Sequence, residues 1–255
     1  MLKRLARHII RLMTSAPETS ARQPAESVGR YLPEPEELLR LARGCSCIFW
    51  GIPLTLLLFS GALELRLLPR FRLPGFVAGL LLVFCGVLYL NRVPPLTRRW
   101  PRRIRQAMLV LLVLVYLSPF VYWWRAMPHV PYYSANMLGL LAATMWGFLI
   151  VNQLAAEIGL AFGDRTFCLE ARICGWLAVL FLLFPGCFAL VRSVLAAAPF
   201  ENTGMISLVL VPYLMPRWMY ALALLPFTLT MMMVWRAKEL CLRAIRQPAG
   251  MQANT

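Results

Sequence analysis

Long uncharged stretches alternate along this chain with short clusters of arginine. Twenty uncharged residues lie between Arg43 and Glu64, nineteen between Arg72 and Arg92, and nineteen between Arg105 and Arg125. Nineteen more separate Arg172 from Arg192, and eighteen separate Arg217 from Arg236. About 20 helical residues cross the roughly 30 Å of bilayer hydrocarbon. In that medium the backbone must satisfy its own hydrogen bonds, so each run predicts a helix. The longer run from Ala126 to Ala156 opens with Pro128, His129, Pro131, Tyr132 and Tyr133. This reads as a loop carrying interfacial aromatics, followed by a span.

The pattern predicts an all-α polytopic membrane protein with a six-helix transmembrane bundle. The expected spans are 45–63, 73–91, 106–124, 135–161, 173–191 and 218–235, within a membrane domain of residues 44–236. A cytoplasmic tail, 1–43, precedes it and another, 237–255, follows. Met205 to Met215 is apolar but too short to cross and contains Pro212. It is expected to lie horizontally or re-enter the membrane. In the N-terminal tail Leu2, Leu5, Ile9, Leu12 and Met13 recur at helical spacing opposite Lys3, Arg4, Arg7 and Arg11. That arrangement predicts an amphipathic surface helix. Glu36 and Glu37 after Pro35 predict a second, short helix leading into the first span.

Composition supports the membrane reading. Hydrophobic residues make up 60% and charged residues 15%, against about 45–50% and about 25% in soluble domains. The net charge of +15 does not point to nucleic acid, because no polar domain is present to form a groove. The cations instead set an orientation. With the N-terminus inside, 20 fall on inner segments and 6 on outer loops, which follows the positive-inside rule. The strongest inner cluster, Arg98, Arg99, Arg102, Arg103 and Arg105 around Trp100, is expected to contact anionic lipid headgroups. This predicts a multi-pass protein of a bacterial inner membrane with both termini in the cytoplasm.

Candidate chemistry is sparse. The seven cysteines and two histidines form no disulfide framework and no four-ligand zinc pattern. Asp164 is the one aspartate, neither histidine lies deep in a span, and the chain has no H-E-x-x-H or P-loop sequence. No enzyme activity, cofactor or metal is expected.

The fourth span carries the most information. Gly139, Ala143 and Gly147 form a small-xxx-small stripe suited to close helix packing. Glu157 lies eighteen residues, or five full turns, beyond Gly139 and on the same face. Gln153 is one turn before it, and Asn152 is adjacent. An intramembrane carboxylate is costly and marks a candidate polar site. Gly75 and Gly79 form a second small-residue contact. Pro53, Pro119, Pro185 and Pro226 lie inside four spans, where they shape helices or mark a substrate site.

The functional expectation is a non-catalytic membrane component or subunit of a larger complex. Its partners would be the lipid bilayer, anionic headgroups and a membrane or cytoplasmic protein. The alternative is a small-solute or ion transporter built around Glu157, Gln153 and Asn152.

Overall fold

The structure, a computed structural model, describes residues 33–60, 76–127, 130–197 and 217–246. Among them it is all-helical. Six helices follow in chain order: α1 (Pro35–Ser60), α2 (Phe76–Asn91), α3 (Trp100–Ala126), α4 (Pro131–Ala161), α5 (Arg165–Ala197) and α6 (Arg217–Arg246). Four contain stretches long and apolar enough to cross a membrane: Pro35–Phe59, Trp100–Trp124, Tyr132–Ala161 and Arg165–Phe184. The apolar α2, at 16 residues, is shorter than a crossing takes, and α6 is outside the four. The expected amphipathic helix at 2–13, the 205–215 segment and Gly75 lie outside the described residues.

Local chemistry sets the helix ends. At α1, Pro35 occupies the first turn, where its missing N–H costs nothing. The Glu37 carboxylate accepts from the Glu34 amide at 3.1 Å, one arm of a capping box. The short helix expected at Pro35–Arg40 and the first span are one continuous 26-residue helix, because nothing between Arg40 and Cys45 breaks it.

Between α4 and α5 the chain turns in three residues. Gly163 adopts φ 78°, a left-handed conformation that glycine reaches without strain. The Asp164 amide then donates to the Gly159 carbonyl at 3.0 Å, and the Gly163 amide to Leu160 at 3.1 Å. This is the Schellman pattern. Asp164 immediately caps α5, accepting from the Phe167 amide at 2.9 Å and the Thr166 hydroxyl at 2.6 Å.

Pro53, Pro119 and Pro226 lie inside continuous helices. Pro119 leaves the Val115 carbonyl without its usual donor. The buried Ser118 hydroxyl donates to that carbonyl at 2.7 Å, so the carbonyl stays satisfied inside the helix.

α1 packs on α2 and α6, α2 on α3, and α3 on α4. α4 also meets α5 and α6, which meet each other. Thus α1, α2, α3, α4 and α6 close a ring, and α5 packs on α4 and α6, with its Leu182 reaching the cavity between the helices. Between the helices lies a partly open cavity of about 300 Å³ lined by residues such as Ile52, Leu80, Leu111, Leu140, Val151 and Phe227. Its lining is almost wholly hydrocarbon. The hydroxyls of Thr55 and Thr144 also line it, but each donates to the backbone of its own helix, at 2.7 and 2.8 Å.

Candidate functional site

The α2–α3 linker and the α4–α5 turn meet at one end of the bundle. The join is a hydrogen bond, 2.7 Å long, from the Thr97 hydroxyl to Oε2 of Glu157. Glu157 is 5% exposed, so its carboxylate is buried and held by a donor sixty residues earlier in the chain. Thr97 went unnoticed in the sequence. It is the one hydroxyl residue between Asn91 and Trp100, which is the signal that singles it out.

A polar cavity of about 200 Å³ opens beside Glu157. Arg99 and Arg103 come to it from the start of α3, Gln153 and Glu157 from the end of α4, and Arg172 and Trp176 from the start of α5. α3 and α5 do not touch among the described residues, so they flank a groove whose floor is α4. Gly175 sharpens the groove. A methyl there would lie 3.2 Å from Cβ of Asn152, so α5 sits close on α4. Arg103 donates to Gln106 at 3.3 Å. Among the described residues no carboxylate comes within ion-pairing distance of Arg99, Arg103 or Arg172.

The three residues singled out in the fourth span do not converge. Glu157 and Gln153 line the cavity. Asn152 points elsewhere, because adjacent helical residues face different directions. It is fully buried, and its amide donates to the Phe148 carbonyl and to the Thr230 hydroxyl of α6, both at 2.9 Å. Its Oδ1, with Oε1 of Gln153 and Nε1 of Trp100, is buried without a partner among the described residues.

The five arginines of the second inner cluster also divide. Arg99 and Arg103 line the cavity, while Arg98, Arg102 and Arg105 are exposed. On the far side of the groove, Glu170 of α5 pairs with Arg236 of α6. The same guanidinium lies 5.2 Å from the centre of the Phe167 ring.

The small-residue contacts differ. A methyl on Gly139 or Gly147 would meet only side chains of α3, at 3.6 and 3.4 Å. Gly79 sits directly against the backbone of Thr55. It belongs to a set that sequence reading missed, Gly44 and Gly51 on α1 with Gly79 and Gly86 on α2. Both pairs are spaced by seven, and that matched spacing was the available signal.

Among the described residues no three histidines, cysteines or acids gather as a metal site. No protein-family model matches the chain, and comparison with curated proteins and with solved structures returns no match.

Proposed function

We propose that this chain is a non-catalytic integral component of a bacterial inner membrane. In this reading it crosses six times, with both termini in the cytoplasm. The observation that carries it is the interior of the helix ring. A path for an ion or small polar solute needs polar groups along its length, and this interior is lined by hydrocarbon. Glu157 supports the same reading. Its carboxylate is turned into a buried contact with Thr97 at one end of the bundle, where it ties the α2–α3 linker to α4.

Orientation rests on where the cations gather. Gly44 of α1 lies beside Leu90 at the end of α2. Thr97 and Glu157 join the next two connections, and Arg236 ties α6 to Glu170. Arg40, Arg43, the arginines from Arg92 to Arg105, and Arg236 to Arg246 therefore share one end. That end is the cytoplasmic one by the positive-inside rule, and it is the surface for a cytoplasmic or membrane partner. The apolar α2 and the 18 uncharged residues of α6 supply the remaining two crossings.

Two measurements test the reading. Reporter fusions after residues 68, 95, 129, 163, 205 and 255 should alternate outside and inside, ending inside. Two successive reporters on one side would remove the six-crossing topology. Purified protein in liposomes should leave an imposed pH gradient intact, with wild type and Glu157→Gln indistinguishable. Dissipation by wild type that Glu157→Gln abolishes would replace this reading with a transporter that uses Glu157.

A further inference from the structure

We propose that the cavity between the first turn of α3 and the N-terminal half of α5 is a binding site for the phosphate group of an anionic phospholipid. The inference rests on the membrane reading above and adds a ligand and a place. Three guanidinium groups, Arg99, Arg103 and Arg172, line a space of about 200 Å³ that contains a single carboxylate. That carboxylate is buried and bonded to Thr97, and none of the three arginines has an acid within ion-pairing distance among the described residues. The site is short of negative charge. Guanidinium forks match phosphate oxygens in a bidentate way that neither water nor a halide reproduces.

The surroundings favour a lipid over free phosphate. Trp176 stands at the mouth of the cavity and is 65% exposed. One turn along α5 from it, Leu180 is exposed, as is Trp146 on α4, two turns from Gln153 on the same face. The arginine-lined cavity thus opens onto apolar surface that continues along the groove. An acyl chain lies on such a surface while its headgroup sits among the arginines, and an indole at that depth matches the aromatic belt of a membrane interface. Basic pockets between helices at the inner leaflet take headgroups in this way. Arg98, Arg102 and Arg105 are cationic and exposed but stand outside the cavity, so they contribute attraction without a defined site.

The test uses the full-length protein in neutral detergent, with bound lipid counted by native mass spectrometry. Phosphatidylglycerol and phosphatidylcholine are titrated separately, and inorganic phosphate is the competitor. Wild type is expected to retain one phosphatidylglycerol at least tenfold more tightly than phosphatidylcholine. Arg99→Gln with Arg172→Gln should erase that preference, while Arg98→Gln with Arg105→Gln should keep it. Arg172→Lys, which preserves charge but not the fork, should fall between them and guards against a folding defect in the double variant. Quenching of Trp176 by brominated phosphatidylglycerol, measured as the difference from Trp176→Phe, places the lipid.

Equal binding of the two lipids, or equal loss in the two double variants, would overturn the proposal. Displacement of the lipid by millimolar inorganic phosphate would reassign the site to free phosphate. A chain that stays monodisperse without detergent would instead sink the membrane reading, independently of any lipid result.

Discussion

Glycines recur every seven residues along α1 and α2. A methyl added at Gly44, Gly51 or Gly86 would come within 2.9 Å of main-chain atoms of the opposite helix, and one at Gly79 would run into the backbone of Thr55. Along α4 the small residues recur every four, yet the partner helix stays a side chain away. Methyls at Gly139 and Gly147 would make ordinary contacts with Leu117 and Val110. The difference lies in what faces the glycine. α2 meets α1 with glycines of its own, so the two backbones approach. α3 meets α4 with leucine and valine, which hold the axes apart and leave room for the apolar cavity. α4 is instead pinned by polar contacts: Glu157 to Thr97, Asn152 to Thr230, and the Asp164 cap that starts α5. A small-residue stripe gives a helix the capacity for close approach, and the partner decides whether it is used.

The sharpest way to break this comparison is to fill a glycine on the tight side. Gly86→Ala should destabilise the protein by about 2 kcal/mol, within the roughly 1–3 kcal/mol typical of overpacking. The measurement is the unfolding midpoint in mixed micelles, and an unchanged midpoint would mean that α1 and α2 do not approach as described. Thr97→Val should cost about 1.5 kcal/mol, since it strips a hydrogen bond from a buried charged group. The double variant with Glu157→Gln should recover part of that loss, because a neutral amide is less costly to leave buried.

Asp164→Ala should cost about 1 kcal/mol at neutral pH, the usual value for a lost N-cap. Hydrogen bonds from the Phe167 amide, and then from the Thr166 hydroxyl, hold the Asp164 carboxyl below its ordinary range. Its stabilisation is therefore complete above the unfolded value of about 3.9. It is lost as pH falls through the lower folded value. Acid titration of stability should show a steeper limb for wild type than for Asp164→Ala below about pH 4. Coincident curves would mean that the cap is not formed.

Thr230→Val should cost about 0.6 kcal/mol, the average for hydrogen bonds between membrane helices. It removes the hydrogen bond that the Asn152 amide donates to α6. Gly147→Ala should be the mildest change, within about 0.5 kcal/mol. If it proved as damaging as Gly86→Ala, the contrast between the two helix pairs would vanish.

Much of the fold was legible because charge is so costly in hydrocarbon. The uncharged runs locate each helix but not its ends: α3 starts six residues before its expected span, α5 eight before, α6 runs eleven beyond, and at Pro35 the surface helix and the first span prove continuous. The acidic start of α1 was also readable, as Glu37 shows, because such contacts are local in sequence, whereas the equally local cap at Asp164 was missed. The candidate site was legible only in part. Glu157 and Gln153 stood out as polar groups in an apolar run, but adjacency in sequence alone placed Asn152 with them, when its partner lies 78 residues away on α6.

The sequence by itself determined that this chain is helical and apolar along most of its length, since both properties follow from runs of adjacent residues. Tertiary structure decided which helices touch, and with that the contact of Thr97 with Glu157, the facing glycines of α1 and α2, and the grouping of Arg99 and Arg103 with Arg172. These associations join residues far apart in the chain. Between apolar helices in lipid no strong burial gradient selects a partner, so steric fit and a few polar contacts set the arrangement, and neither can be read from one helix alone.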